Sequence, residues 1–192
     1  DSQNHRVREI NETGMIRTYA GTGEAGFGGD GGAATLAKLN TPSGLAVHPD
    51  GALLISDTVN HRIRRVAPSG VIDTLAGSGQ VGFAGDGGPA TAASLFNPQG
   101  IAASTDAVWI ADTINGRIRR VANDGTISTV AGNGRYGFLG DGGPAVDAQL
   151  LLPFGVAVAP SGGLAVFDSF NGRVREVDSA AVIRTVAGNG QT

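Results

Sequence analysis

One eight-residue pattern, Asp-x-x-Asn-x-Arg-[Ile/Val]-Arg, begins at Asp1, Asp57, Asp112 and Asp168. A pattern that returns every 55 or 56 residues limits the chain to a modular fold, because each unit must pack on its neighbours to bury a core. Two further markers keep the same step. Gly-Asp-Gly-Gly centres on Asp30, Asp86 and Asp141, and Pro-x-Gly followed by apolar residues begins at Pro42, Pro98 and Pro153.

Within one period four short apolar runs appear, in the second unit Gly44–His48, Ala52–Ser56, His61–Ala67 and Val71–Ala76. Pro49-Asp50-Gly51 and Pro68-Ser69-Gly70 punctuate them, the signature of strands joined by tight turns. Connections this short exclude parallel crossovers, so each unit reads as a four-stranded antiparallel meander. Leu53-Leu54-Ile55 is apolar on both faces and needs a neighbour on each side. Radial stacking of one sheet per repeat supplies it, so the unit reads as a propeller blade.

The fold class is therefore all-β, a β-propeller with about three and a half blades in this chain. Residues 1–20 supply a half blade of two strands. Residues 21–76, 77–131 and 132–192 each supply a long insert and a blade, which gives fourteen strands. Three and a half blades do not close a ring. The chain is expected to be completed by further blades of a longer polypeptide or by homo-oligomerisation. It opens on Asp1 without a signal-like segment, which fits either processing or a longer parent.

Positions 54, 109 and 165 (Leu, Trp, Ala) and 56, 111 and 167 (Ser, Ala, Phe) share one face of the second strand and exchange bulk between them. Trp109 is accordingly expected in the core. Each insert ends in a Pro/Ala/Leu stretch that predicts a helical turn or two.

Composition narrows the function classes. Of 192 residues 32 are glycine, without the triplet of collagen, and 41% are hydrophobic, which argues against disorder. No apolar run approaches the ~20 residues of a membrane helix. A net charge of −3 disfavours a nucleic-acid surface. There are no cysteines, so thiol chemistry, thiolate metal sites and disulfides are excluded.

Gly-Phe-x-Gly-Asp-Gly-Gly-[Pro/Ala]-Ala, Pro-x-Gly-[Leu/Ile/Val]-Ala and Asp-x-x-Asn-x-Arg-[Ile/Val]-Arg resemble the bacterial NHL-repeat proteins over essentially the whole chain. The resemblance implies a β-propeller, most often six-bladed. It implies extracytoplasmic sensor domains, RNA- or protein-binding domains, or enzymes such as an amidating lyase. Propeller lyases and lactonases of this kind gather His, Glu, Asp or Asn on a channel metal. This chain has only His5, His48 and His61, which form no cluster with carboxylates in sequence. His5 and His61 share a repeat position with Gly116 and Gly172, which suggests an exposed turn.

The motifs divide into structural and binding sets. Gly21-x-Gly23-x-x-Gly26 and its copies match a dinucleotide fingerprint but lack the βαβ setting, so they read as turns. Asp30, Asp86 and Asp141 are expected in Asx-type turns that accept backbone N–H bonds. Calcium is the alternative there, although one recurrent carboxylate per loop falls short of the oxygens it needs. Asp57, Asn60, Arg62 and Arg64 are expected to be structural, with both arginines paired to carboxylates as ties between blades. So are Asp112, Asn115 and Arg117, and Asp168, Asn171 and Arg173. Phe27, Phe83 and Phe138 are expected to plug each insert onto its blade.

Exposed residues that do not recur are free to be specific. Arg135 and Tyr136, with Glu24 and Gln80 at equivalent insert positions, are the candidate binding residues, Arg and Tyr being enriched in interface hot spots. The sequence reads as a non-enzymatic, extracytoplasmic binding or scaffold module without cofactor, recognising a protein, peptide or glycan through its loop face. The alternatives are a metal-dependent propeller lyase or lactonase whose ligands come from other blades, and an architectural segment with no ligand.

Overall fold

The computed structural model describes residues 1–159 and 162–191. Its strands form four antiparallel sheets in chain order. The first holds β1 (Val7–Ile10) and β2 (Ile16–Ala20). The second is built from β4 (Pro42–Val47), β5 (Leu53–Asp57), β6 (Arg62–Val66) and β7 (Val71–Ala76). A two-residue strand, β3 (Gly32–Ala33), comes from the preceding insert and adds to β7. The third sheet comprises β8 (Pro98–Ala103), β9 (Ala107–Asp112), β10 (Arg117–Ala122) and β11 (Ile127–Ala131). The fourth comprises β12 (Pro153–Val158), β13 (Leu164–Asp168), β14 (Arg173–Val177) and β15 (Ile183–Ala187).

The described residues thus hold fifteen strands rather than fourteen. The difference is β3, too short to show as an apolar run. Each insert contains one 3₁₀ turn, at Ala34–Leu36, Ala90–Ala92 and Ala145–Asp147, the shorter of the two expected lengths.

The sheets fan out from their first strands: β4 lies against β8 and β8 against β12. Pro-x-Gly marks this approach. A methyl group at Gly44 would overlap the Gln99 carbonyl oxygen, and one at Gly100 would sit 2.6 Å from the Phe154 oxygen. Away from the axis the inserts wedge neighbouring sheets apart. Ala34, Ala37 and Leu39 fill the first gap together with Val7, Ile55 and Ile72. Ala90, Ala93 and Leu95 fill the second and Ala145, Ala148 and Leu150 the third, all fully or nearly fully buried. Each wedge leucine contributes about 1.5–3 kcal/mol by burial.

Side-chain hydroxyls add a second tie. Thr58 Oγ1 donates to the Pro98 oxygen and Thr113 Oγ1 to the Pro153 oxygen, both at 2.9 Å. Ser2 does the same to Pro42 at 2.6 Å. Ser169, the fourth of the series, reaches among the described residues only the Phe167 oxygen of its own sheet.

Bulk exchange on the second strands is visible in two gaps. Leu54 packs into the second gap, and Trp109, partly buried, packs into the third with Val156 and Val158. On the fourth sheet the same face is uncovered, and Phe167 is 50% exposed rather than packed.

Candidate functional site

In each full repeat the chain leaves the second strand through a short turn, of 3₁₀ form at Thr58–Asn60 and Ser169–Asn171, and enters the third strand through a left-handed residue. That residue is His5, His61, Gly116 or Gly172, with φ between 51° and 58°. Glycine adopts this conformation freely, which is why His and Gly interchange there.

The His positions are not an exposed turn. His5 Nδ1 accepts the Thr41 N–H at 3.1 Å and His61 Nδ1 accepts the Asn97 N–H at 3.2 Å. His61 also meets the Phe96 ring edge-on. Burial, and secondarily Arg62, push the His61 pKa down, which favours the neutral ring that an acceptor nitrogen requires.

Asp57 is buried at the head of this turn. It accepts the Asn40 N–H at 2.6 Å, Asn60 Nδ2 at 2.9 Å and Arg64 Nη1 at 3.3 Å. Asn60 Nδ2 also donates to the Gly26 oxygen at 2.6 Å. Asp112 accepts from Phe96, Asn115 and Arg119, and Asp168 from Leu151, Asn171 and Arg175, at 2.8–3.4 Å. Burial pushes all three carboxyl pKa values up, against the pull of these donors.

Opposite each buried carboxylate, the insert aspartate holds the far side of the same guanidinium. Asp30 pairs with Arg64, Asp86 with Arg119 at 2.6 Å, and Asp141 with Arg175 at 2.6 Å. Asp30 also accepts Thr74 Oγ1 at 2.7 Å. These aspartates are therefore not heads of Asx turns. They are clamps that fasten each insert to the sheet after it, and a cation would have to compete with an arginine for them.

Among the described residues, Arg62, Arg117 and Arg173 do not pair with carboxylates, contrary to expectation. Arg62 donates to the Asn60 oxygen at 2.9 Å and, across the next insert, to the Ser78 oxygen at 2.6 Å. Arg117 and Arg173 repeat both bonds. Charged donors aimed at backbone carbonyls explain Gly-x-Gly. A side chain at Gly79 or Gly134 would overlap the guanidinium.

Phe27 and Phe83 lie 3.7 Å under Arg62 and Arg117, and Phe138 lies 4.3 Å under Arg173. The phenylalanines thus plug their inserts by cation–π stacking, yet each keeps an exposed face. Each first arginine joins the inserts on both sides of its sheet.

The binding candidates fall into two groups. Tyr136 Oη donates to the Ile114 oxygen at 2.7 Å, and its ring covers Gly116. Where His5 and His61 occupy that position, the insert residue is Ala25 or Val81, so Tyr136 fills the volume that Gly116 leaves. Arg135, Glu24 and Gln80 are exposed on different inserts and are not brought together. Glu24 pairs with Lys38 at 2.8 Å.

Among the described residues, no group of three or more His, Cys, Asp and Glu side chains gathers where it would hold a metal ion. The described helices include none long and apolar enough to cross a membrane.

Sheets of this topology, fanned from their first strands and stitched by inserts, define β-propeller blades. The family model of the teneurin NHL domain matches residues 22–84. NHL repeat-containing protein 2 of Bos taurus is 34% identical over 117 residues, 60% of this chain and 16% of that protein. Both matches are to NHL-repeat proteins and support an NHL-repeat β-propeller family for this chain.

Among solved structures, a streptogramin B lyase superposes with a TM-score of 0.62 at 11% identity, over 96% of this chain and 48% of its own. A gluconolactonase of Xanthomonas campestris superposes with a TM-score of 0.65 at 19% identity, over all of this chain and 58% of its own. At these identities the likeness is one of fold. The chain spans 16% of that NHL-repeat protein and about half of these structures.

Proposed function

We propose that the chain is a non-enzymatic binding or scaffold module that recognises a protein, peptide or glycan through its insert loops, within a propeller completed by further blades. One observation carries the reading. The recurring polar residues are consumed by the scaffold, whereas the exposed insert residues differ from repeat to repeat. Arg135 and Leu139 project from the third insert, where the others carry Glu24 and Gly28, or Gln80 and Ala84. A fixed frame with variable exposed tips suits recognition, because the frame holds the loops in place at no further ordering cost.

The lyase and lactonase likenesses favour the fold, and a metal-dependent enzyme needs ligands beyond those the described residues gather. The test displays the whole chain to a peptide library and a glycan array. The Arg135→Ala/Gln80→Ala/Glu24→Ala variant is run beside it, with its melting temperature checked. Loss of the selected ligands with melting unchanged supports the reading. Binding that survives the variant, or a stoichiometric metal in the purified chain, overturns it.

A further inference from the structure

The second and third gaps differ at one repeat position. Trp109 stands where the second sheet has Leu54, and each lies across from an arginine, Trp109 from Arg120 and Leu54 from Arg65. In the third gap Trp109 packs, with Val130, against the cluster that holds Leu164 and Val177. Their counterparts in the second gap, Val108 and Val121, share a cluster with the smaller Leu54. The smaller side chain leaves a hole. A cavity of about 150 Å³ lies there, walled by Leu54, Leu75, Val108 and Val121, with His48 and Arg65 at its rim, among others. Both flanking sheets have their four meander strands, so the cavity does not arise from an end of the chain.

Size and lining narrow what could enter. An apolar cavity of about this volume admits a single six-membered ring. The third gap shows the same frame filled by the protein's own aromatic ring, an indole beside the arginine of the third strand. The rim adds charge. Asp50 accepts Arg65 Nη2 at 2.6 Å and lies 2.8 Å from His48 Nδ1, so one carboxylate holds both basic side chains at the mouth. Among the described residues that is the one hydrogen bond of the Arg65 side chain, and a guanidinium has five N–H donors. Others remain for an acceptor at the mouth, whereas the Asp50 carboxylate is committed. His48 has Ser104 and Ala159 as its counterparts, so it belongs to the residues that do not recur.

We infer that this cavity binds a small aromatic carboxylic acid. Its ring lies among Leu54, Leu75, Val108 and Val121, and its carboxylate sits on Arg65 with His48 beside it. A cationic ring would meet Arg65 and find no free carboxylate. The cavity opens where first strands turn into second and third into fourth. The Gly-x-Gly loops and the turns into third strands lie at the other end of the sheets. The site is therefore separate from the insert tips and does not depend on what they bind.

Phenylacetate is the probe, with benzyl alcohol and benzylamine as the neutral and cationic comparisons. Each is titrated into the full chain carrying labelled valine and leucine methyl groups. Phenylacetate shifts the Val108 and Val121 methyl signals saturably, with a Kd of about 1 mM or below. Benzyl alcohol binds about tenfold more weakly, the worth of one charge-assisted bond, and benzylamine more weakly still. Arg65→Gln, a substitution of a partly exposed side chain, removes the advantage of the acid over the alcohol. Leu54→Trp places in the second gap the side chain that occupies the third, and abolishes the shifts with melting unchanged or raised.

Val121→Leu fills the hole from the opposite wall and serves should the tryptophan variant fail to fold. Melting of each variant confirms its fold. No methyl shift at about 10 mM phenylacetate overturns the proposal. So does equal binding of the three probes, or phenylacetate binding that survives a folded, cavity-filling variant.

Discussion

Replacing Arg119 by methionine isolates the clamp. Arg119 is wholly buried between Asp112, also wholly buried, at 3.2 Å and the partly exposed Asp86 at 2.6 Å. The substitution keeps much of the aliphatic volume but leaves Asp112 with only the Phe96 N–H and Asn115 as donors. Breaking one side of a buried ion pair costs about 3–5 kcal/mol. Asp86 can turn to water and adds little. For a chain of this size the cost lowers the melting temperature by roughly 6–20 °C.

Two controls separate charge from packing. Arg117→Met removes two bonds to carbonyl oxygens and a cation–π contact but strands no buried charge, so about 1–2 kcal/mol is expected. Adding Asp112→Asn to Arg119→Met removes the stranded charge and recovers about half of the loss. The assay is urea unfolding followed by circular dichroism. Equal losses for Arg117→Met and Arg119→Met, or no recovery in the double variant, refute the reasoning. The pH dependence has a defined sign. Without Arg119 the raised Asp112 pKa rises further, so the deficit shrinks as the pH falls and grows as it rises through the folded pKa.

Other consequences are checked by the same unfolding assay. Gly100→Ala pushes a methyl against the Phe154 oxygen and costs about 2 kcal/mol or more, whereas Gly155→Ala meets only the Phe167 Cβ at 3.3 Å and costs less than half of that. His61→Gly loses an acceptor and a ring contact but relieves a left-handed backbone, for a net change within about 1 kcal/mol. It also removes an acid-sensitive term, because the lowered His61 pKa contributes stability above the unfolded value that is lost as pH falls through the folded one. The Ala52 N–H, Arg65 and His48 hold the Asp50 carboxyl well below the usual carboxylate range, so its contribution is present above about pH 4 and lost below it. Asp50→Asn therefore flattens part of the acid-side decline. Millimolar calcium leaves the melting temperature unchanged, because arginines already occupy Asp30, Asp86 and Asp141; a rise of several degrees contradicts this.

The sheets were legible because their signal is periodic. Three markers at one spacing placed every unit, and strands such as Val71–Ala76 fall where the apolar run does. The clamp was legible as residues but not as partners. Asp86 and Arg119 are 33 residues apart, and local reading offered Asp86 only a local turn. Arg62 was paired with a carboxylate by charge counting, whereas the fold brings it to carbonyls bared by Gly-x-Gly. The Ala-x-x-Ala-x-Leu wedge repeats as faithfully as the other markers, and its period was the missed sign that it is core. Tyr136 shows a structural part that its own position does not reveal. Its failure to recur suggested specificity, yet it compensates for Gly116, which only the pairing of two distant positions reveals.

The account rests on Asp57, Asp112 and Asp168 locking each repeat from within. Amide hydrogen exchange at Asn40, Phe96 and Leu151, whose N–H groups these carboxylates accept, tests it most directly. Slow exchange at all three, near the limit set by global unfolding and speeded by Arg119→Met most strongly at Phe96, is the predicted result. Exchange there as fast as at the exposed Thr13 or Ala180 amides contradicts it.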